Sequence, residues 1–389
     1  GVNGVMVEFL GGAGVAAHQQ RSDTGIDQET CDTAAADRWY FGASSTEVDS
    51  VSVLWLVNPF PADASVDIGA STSDGFRTPG ALSGVVVPGR SARAVSLGES
   101  IERRDRFSVD VETREGSGPV IAALTQIHTG ATRQDGSATR RGLDLIGGRS
   151  TTSNEWVFAD GVGGSGYRDE VVMYNPSDED VTAELWIIPA GVEGDLRPDP
   201  FVVEIPGRRL ASVVVSDESR VPPDGVRWMA VRADGDGVVA DRVSTVLEGG
   251  GDGTAATRPE LTRGLSGSVA SRWSATTWWF PGVGYVSPDT AVVTIANPSA
   301  ESIAVADVFV HSDGAATPVA ECVEIPPMAS FALDISGSIT PTGSVRVSSE
   351  TPVVAEVRTT DESVADQAIL SGIPAVEGRV VVELDPVGG

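Results

Sequence analysis

Short runs in which hydrophobic and polar residues alternate fill most of the chain, and this pattern is typical of β-strands. Three of these runs end in the same Asn-Pro pair, at Asn58, Asn175 and Asn297. Each run follows an aromatic cluster that ends in Phe, and the Asn lies 17 residues after that Phe in all three copies. Equal spacing of this kind indicates an internal repeat.

Each copy of the repeat predicts about seven short strands within roughly 90 residues. In the first copy, the aromatic strand 39–41 precedes the strand 51–57, which ends at Asn58 because the following Pro cannot donate to a β-ladder. A second turn at Pro88 separates two further strands, and we expect the last two strands of each copy to form a hairpin. This arrangement is typical of an immunoglobulin-like β-sandwich.

The segments outside the three copies predict additional strands. Residues 5–9 and 15–17 match the last two strands of a copy, so the chain is expected to begin with a β-hairpin. The Gly-, Ser- and Arg-rich segments 129–153 and 247–276 are longer than ordinary loops, so each is expected to hold a strand or to cross a neighbouring face. The tail 378–384 alternates like a closing strand.

The predicted fold class is therefore all-β, with three tandem immunoglobulin-like β-sandwich repeats after an N-terminal β-hairpin. We predict the boundaries 1–35 for the hairpin and linker, and 36–147, 148–268 and 269–389 for the three repeats. A chain of 389 residues is too long for one hydrophobic core and suits about three domains of ordinary size.

The charge balance excludes some partners. The chain has 55 acidic and 27 basic residues and a formal net charge of −28, so its surface repels nucleic acid and anionic lipid. No apolar run approaches the roughly 20 residues that span a bilayer, so we expect no direct membrane insertion by this chain. It begins at Gly1 rather than Met, which leaves open a signal peptide or membrane anchor before that residue.

Four features recur together: the aromatic cluster, the strand ending in Asn-Pro, an Ile/Val-Pro turn and a closing strand of the Pro-Val-Val-Ala-Glu type at 352–356. In these features nearly the whole chain resembles repeats of exported actinobacterial cell-envelope proteins whose domain family has no known function. The resemblance implies tandem β-sandwiches outside the cytoplasm, either extracellular or at the cell surface. It implies no catalytic residues.

The sequence offers little catalytic chemistry. His18, His128 and His311 lie in unrelated contexts, and none has another His or a Cys at metal-ligand spacing. A G-x-G-x-x-G motif at 161–166 precedes a strand rather than a helix, so it lacks the helix N-terminus that would hold a phosphate. We interpret it as a loop and expect no catalytic residue and no organic cofactor.

Acidic Gly-rich turns are candidate calcium sites. Asp234 and Asp236 lie in one such turn and Asp252 in another, and their carboxylates are ligands that extracellular modules use for Ca²⁺. Asp-Gly is also a preferred hairpin turn, and neither segment ends with the bidentate Glu of a strong calcium loop. Both interpretations stay open.

Aromatic residues cluster where each repeat begins. Trp39, Tyr40, Trp278 and Trp279 would stack on sugars if they lay exposed in a row. Alternation along a strand directs neighbouring rings to opposite faces, so at least one face of each cluster is expected in the core. Core packing is the alternative, because buried aromatic rings dominate sandwich cores.

Two cysteines, Cys31 and Cys322, occupy non-equivalent places in the repeat. In an exported protein they would be able to pair, tying the N-terminal segment to the last repeat. Two unrelated buried thiols are the alternative.

These observations favour a non-enzymatic structural or interaction protein of the bacterial cell envelope, comparable to a scaffold or adhesin, because the repeated core carries no repeated polar site. The expected partner is a cell-wall glycan or an envelope protein. A carbohydrate-binding module that uses exposed Trp and Tyr is the alternative. A glycan-active enzyme would need paired carboxylates across a groove, and the sequence singles out no such pair.

Overall fold

The computed structural model describes residues 4–10, 14–130, 140–163, 167–190, 198–222, 225–246, 264–284 and 288–375. Over these residues the chain is nearly all β and forms several antiparallel sheets, which confirms the predicted all-β class. The few helical turns described are short 3₁₀ segments at Gly80–Leu82, Leu97–Glu99 and Val215–Asp217.

The first repeat consists of two antiparallel sheets that face each other. One sheet has the order β3-β9-β5-β6 with β7 paired to β5, and the other has the order β11-β10-β4-β8. The strands up to the end of this repeat are β1 (Ala17–Arg21), β2 (Ile26–Thr30), β3 (Arg38–Ser44), β4 (Ser50–Asn58), β5 (Ala64–Thr72), β6 (Gly75–Arg77), β7 (Val85–Val87), β8 (Ser91–Ser96), β9 (Phe107–Thr113), β10 (Ile121–Thr129) and β11 (Arg141–Gly147).

The second repeat has the same two-layer construction. Its sheets have the orders β12-β17-β14-β15 and β16-β13-β18-β19. Its strands are β12 (Glu155–Gly163), β13 (Tyr167–Asn175), β14 (Val181–Pro189), β15 (Phe201–Ile205), β16 (Arg209–Val214), β17 (Gly225–Ala233), β18 (Val239–Val246) and β19 (Gly264–Val269).

In the third repeat, one long strand joins both layers. The first part of β25 pairs with β20 and β22, and the later part pairs with β21 and β26. The strands are β20 (Ala275–Phe280), β21 (Thr290–Ala296), β22 (Ala304–Ser312), β23 (Ala315–Ile325), β24 (Ser330–Asp334), β25 (Ser344–Asp361), β26 (Asp366–Ser371) and β27 (Ile373–Pro374).

The predicted hairpin at the end of each copy is wrong in its pairing, although the strands themselves are present. In the first repeat, β9 pairs with β3 and β5, whereas β10 pairs with β4 and β11. The connection therefore crosses from one sheet to the other. Alternation along a strand specifies which face is buried but not which strand lies beside it.

The residues that define the repeat are core residues with the same hydrogen bonds in each copy. A buried indole N–H donates to a backbone carbonyl at 2.7 to 2.8 Å in the pairs Trp39–Val120, Trp156–Val238 and Trp278–Val353. The amide of each buried Asn donates to one carbonyl in the turn that follows it and to one carbonyl just before the later Ile/Val-Pro turn; these are Asn58 to Ala62 and Val87, Asn175 to Glu179 and Ile205, and Asn297 to Ser302 and Ile325. The Asn-Pro signature is thus a turn anchor.

The N-terminal hairpin lies later in the chain than predicted. It is formed by β1 and β2, which join at a turn where the Ser22 N–H donates to the Gly25 carbonyl at 2.8 Å. Residues 4–10 contain no strand, so the first strand of the predicted hairpin is not formed there. The predicted tail strand at 378–384 lies outside the described residues.

Four similar hairpins recur along the chain, one before the first repeat and one at the end of each repeat. They are β1–β2, β10–β11, β18–β19 and β25–β26. Their second strands pack against one another in the cyclic order β2, β11, β19, β26 and back to β2. The predicted linkers therefore do hold strands, and these strands form the centre of the molecule. The N-terminal hairpin closes the cycle, because the Gln19 side chain donates to the carbonyl of Gly282 in the third repeat at 3.1 Å.

Candidate functional site

The four central strands, here called the axial bundle (β2, β11, β19 and β26), are joined by side chains rather than by backbone ladders. One polar side chain of each strand accepts a backbone N–H of the next strand around the cycle. These bonds are Leu145 N–H to Asp27 at 2.6 Å, Gly267 N–H to Asp144 at 2.7 Å, Ile369 N–H to Ser266 at 3.0 Å and Ile26 N–H to Asp366 at 3.1 Å.

Asp366 also bonds to the two remaining strands of the bundle. Besides the Ile26 N–H, its carboxylate accepts the N–H groups of Leu143 at 3.0 Å and Leu265 at 2.8 Å. Glycine precedes each of these donors, and a Cβ atom on Gly25 would lie 2.0 Å from Asp366 Oδ2. Since real Cβ contacts are essentially never this short, the space around the carboxylate depends on glycine.

Burial makes the axial carboxyl groups hard to ionise. Desolvation raises the pKa of Asp144 to about 7, although the Gly267 N–H and a hydrogen bond with Asp27 lower it. Desolvation and the nearby Asp144 charge hold the pKa of Asp27 well above its usual range, and desolvation does the same for Asp366. Burial therefore favours the neutral form of these groups more than it would for exposed aspartates.

Two further carboxylates join neighbouring repeats where an aromatic strand is interrupted by a bulge. Asp241 of the second repeat accepts the Gly42 N–H at 2.6 Å and the Ala43 N–H at 3.1 Å. Glu356 of the third repeat, at the equivalent position, accepts the Asp160 N–H at 2.8 Å. The irregular strands leave these N–H groups without a ladder partner, and the carboxylate of the next repeat satisfies them.

A cavity of about 250 Å³ opens at the end of the axial bundle. Its walls include the polar side chains of Asp32, Arg149 and Arg272 and the indole of Trp273. Desolvation raises the pKa of Asp32 to about 7, while the Arg149 guanidinium partly offsets this increase. Desolvation likewise raises the pKa of Glu29, and it raises the pKa of Asp241 to about 6, while the Arg149 charge partly offsets both increases. The cavity has the size and polarity for a small polar ligand.

A second concavity, of about 440 Å³, lies between the first and second repeats. Its acidic wall residues are ion-paired; the pairs are Asp67–Arg114 at 2.7 Å, Glu112–Arg38, Asp110–Arg208 at 3.2 Å and Asp178–Arg208 at 2.9 Å. Desolvation raises the pKa of the buried Asp110 carboxyl to about 6 despite the nearby Arg38 and Arg208 charges. The carboxylates therefore act as partners of arginine rather than as a free acid–base pair.

The predicted sugar-stacking residues do not form an exposed row. Trp39, Tyr40 and Trp278 are buried, so these three rings are unavailable to a ligand. Trp279 is partly exposed on the outer sheet of the third repeat. Its ring centroid lies 4.9 Å from that of His311, and Arg346 lies over it. Alternation explains the outcome for Trp278 and Trp279, which point to opposite faces.

Of the candidate calcium residues, Asp234 and Asp236 lie in one hydrogen-bonded turn. Asp234 forms part of a turn, where its carboxylate accepts the Thr182 N–H at 2.7 Å and its carbonyl accepts the Gly237 N–H at 3.1 Å. Gly235 and Gly237 both have positive φ in this turn, which supports the turn interpretation of Asp234 and Asp236. Asp252 lies outside the described residues. Within the described ranges, no three His, Cys, Asp or Glu side chains form a metal-binding group.

The candidate disulfide is absent from the structure. Cys31 and Cys322 are both exposed and both free. Desolvation, with the Asp32 and Glu29 charges, raises the pKa of the Cys31 thiol, so thiolate chemistry is disfavoured there.

Sequence reasoning missed the axial carboxylates, although a weak signal was available. The tripeptides Gly25-Ile26-Asp27 and Gly142-Leu143-Asp144 stand at equivalent positions, and Gly264-Leu265-Ser266 is their counterpart in the next hairpin. A short polar residue repeated two positions after a glycine indicates a buried hydrogen-bonding role. The motif lies in the N-terminal segment and in the segments between copies, where the pattern predicts strands but singles out no functional residue.

Comparisons with known proteins find a family for part of the chain and no function. A family described as "Family of unknown function (DUF5719)" matches residues 11–141, which include the N-terminal hairpin and the strands β3 to β10 of the first repeat. No curated protein matches the chain. The solved structure "Crystal Structure of Thermotoga maritima 1070" is 13% identical to this chain, with a TM-score of 0.24. The superposition covers 31% of this chain and 94% of that structure's chain. A TM-score this low supports no inference.

The described part of the chain has no helix that is long and apolar enough to cross a membrane.

Proposed function

We propose that this protein is a non-enzymatic structural or interaction protein of the bacterial cell envelope. Its β-sandwiches act as rigid bodies that the axial bundle holds in a fixed cycle, and its outer faces present contact surfaces. The partner is a cell-wall glycan or an envelope protein. The protein acts outside the cytoplasm, in agreement with the family resemblance of its repeats.

One observation carries the proposal: the buried carboxylates stabilise the backbone at the contacts between repeats. Asp144, Asp241 and Glu356 each accept a backbone N–H from a neighbouring repeat. A catalytic carboxyl group needs a substrate within reach, whereas these groups are fully buried and already bonded. Such an arrangement favours a rigid assembly of domains over a reaction site.

The test is a co-sedimentation assay of the purified chain with bacterial cell envelopes and with purified peptidoglycan. We expect the chain to sediment with at least one of these materials, without release of soluble sugars or peptides. Asp110→Asn, in the groove between the first and second repeats, is expected to sediment like the wild type. Product release that Asp110→Asn abolishes would overturn the proposal in favour of a glycan-active enzyme.

Carbohydrate binding remains a second candidate, supported by the outer face of the third repeat. There the Trp279 ring lies beside His311, while Arg346 lies over both Trp279 and Phe309. A half-exposed aromatic ring beside polar groups suits a sugar ring. Calorimetric titration with cell-wall glycans tests this candidate. We expect Trp279→Ala to abolish binding if this face is the site, whereas Phe60→Ala, which removes an exposed ring elsewhere, serves as the matched control.

A further inference from the structure

The N-terminal hairpin differs from the other three hairpins at one edge. In each of the others, the first strand pairs with its hairpin partner on one side and with an Asn-Pro strand on the other. The Asn-Pro partners are β4 for β10, β13 for β18 and β21 for β25. Among the described residues, β1 pairs with β2 alone.

The hydrogen bonds of this hairpin show which backbone groups are unpaired. The Ser22 N–H donates to the Gly25 carbonyl at 2.8 Å, and the Cys31 N–H donates to the Ala16 carbonyl at 3.0 Å. In an antiparallel ladder, alternate residues bond to the partner strand. The even-numbered residues of β1 therefore face β2, while Ala17, Gln19 and Arg21 direct their backbone groups toward the open edge.

Apolar residues lie exposed on the chain just before this hairpin. Val5 and Leu10 are each 88% exposed and Met6 is 82% exposed. The segment begins beside the first repeat, because a Cβ atom on Gly4 would lie 2.8 Å from the Val57 side chain. A contiguous run of exposed apolar side chains on a soluble domain marks an interaction surface.

The outer sheet of the third repeat exposes a face that is covered in the other two repeats. Tyr40 and Val157 occupy the position of Trp279 in the first and second repeats, and both are buried against the repeat that follows. Trp279 itself is partly exposed. The third repeat thus presents the face that the first two repeats use to contact their neighbours.

We propose that these surfaces dock a fourth β-sandwich of the same repeat type. Its Asn-Pro strand adds to the open edge of β1, and its turn packs on the face around Trp279. This inference rests on the proposed interaction role and names the class of partner. Strand addition to an exposed edge is an established mode of recognition, in which backbone hydrogen bonds supply affinity and side chains supply specificity.

The repeated architecture favours this occupant over a second copy of the chain. The Asn-Pro strands of this chain are already paired on both sides; β4 lies between β10 and β8, and β13 lies between β18 and β16. A second copy therefore has no free Asn-Pro strand to donate. The fourth sandwich would also continue the contact between consecutive repeats that occurs twice in the structure.

The test uses the whole chain and a soluble peptide with the sequence of residues 291–299, which contains the Asn-Pro strand of the third repeat. A scrambled peptide of the same composition is the control. We expect the native peptide to bind and to slow amide hydrogen exchange in a proteolytic fragment that covers β1 at least tenfold. Exchange in β10, whose two edges are already paired, should not change.

Two substitutions at Ala17 distinguish strand pairing from apolar adsorption. Ala17→Pro removes an open-edge N–H without removing a bond to β2, and we expect at least tenfold weaker peptide binding. Ala17→Ser keeps the N–H and should bind like the wild type. Equal binding of both peptides, unchanged binding by Ala17→Pro or concentration-dependent dimers without peptide would overturn the inference. None of these outcomes affects envelope co-sedimentation, so the proposed function is tested separately.

Discussion

The two contacts between consecutive repeats use the same backbone geometry with different chemistry. Trp228 and Ala230 of repeat 2 belong to the core cluster of repeat 3, together with Met328, while repeat 2 keeps a separate core of its own. The same contact buries the ion pair Arg242–Glu356 at 3.2 Å, so its apolar character is confined to the outer edge. The first repeat has its own core and contacts the second mainly through small apolar clusters and ion pairs. One of these pairs joins Arg106 to Glu170 at 2.9 Å with both side chains buried.

The difference is clearest at one turn residue. Arg90, Arg208 and Met328 occupy equivalent turns and have φ values of 52°, 58° and 53°. Arg208 reaches the preceding repeat and pairs with Asp110, whereas Met328 lies near Ala230, which occupies the position of Asp110. The side chain at this left-handed turn therefore matches the residue opposite it in the preceding repeat: Arg208 is charged opposite Asp110, and Met328 is apolar opposite Ala230.

The register of each contact does not depend on the side chains at its outer edge. The Asp241 and Glu356 carboxylates set both contacts by accepting N–H groups from the preceding repeat. With the backbone positioned in this way, the side chains at the outer edge are free to be ionic in one contact and apolar in the other.

Replacing the apolar side chain of Met328 with a charged one should give the largest loss of stability. Met328→Arg places a guanidinium in an apolar contact opposite Ala230, and we expect a loss of about 3 kcal/mol in the free energy of unfolding. Urea unfolding followed by tryptophan fluorescence measures this loss. Arg90→Met, at the exposed equivalent turn, is the control and should change stability by less than about 0.5 kcal/mol.

A second substitution should restore part of the stability that Met328→Arg loses. Adding Ala230→Asp to Met328→Arg recreates the ion pair of the other contact, and we expect recovery of about 1 kcal/mol relative to additive single effects. If the double variant loses as much stability as the two single variants together, the two contacts are not equivalent in geometry.

The opposite exchange, Arg208→Met, should cost less and should depend on pH. It leaves the buried Asp110 carboxyl without one of its cations, so we expect a loss of about 2 kcal/mol at pH 8, where that carboxyl is ionised. The pKa of Asp110 is raised to about 6, so at pH 5 the group is mostly neutral and the loss should be smaller. A loss that is equal at both pH values would show that Asp110 is not the relevant partner.

The sequence allowed the repeat, its strands and its core to be predicted, because Asn-Pro turns and alternation are local signals. Asn58 and Trp39 occupy the turn and core positions that such signals indicate. The pairing of β9 and β10 was predicted wrongly, since the choice of partner strand is a tertiary property. Asp366 was missed because its three N–H donors are brought together only when four distant hairpins meet.

The smallest predicted effect concerns the axial bundle, where both contacts meet. Asp144 faces Asp27, Glu29 and Asp241, and its pKa is raised to about 7. A carboxyl group with a raised native pKa adds stability below its unfolded pKa and loses that contribution as the pH rises through the native value. The wild type should therefore be more stable at pH 5.5 than at pH 8.

Asp144→Asn isolates this contribution. The amide oxygen still accepts the Gly267 N–H, but the side chain no longer ionises. We expect the stability difference between pH 5.5 and pH 8 to shrink by about 1 kcal/mol in urea titrations. Asp313→Asn, at an exposed turn, is the matched control and should leave the difference unchanged.

Native-state hydrogen exchange at the axial bundle tests the central claim most directly. The amides of Ile26, Leu143 and Leu265 belong to three different hairpins, yet all three donate to Asp366. If the bundle holds the repeats in one closed cycle, these amides should open with a single free energy close to that of global unfolding. Three separate opening free energies, each typical of its own repeat, would contradict the account.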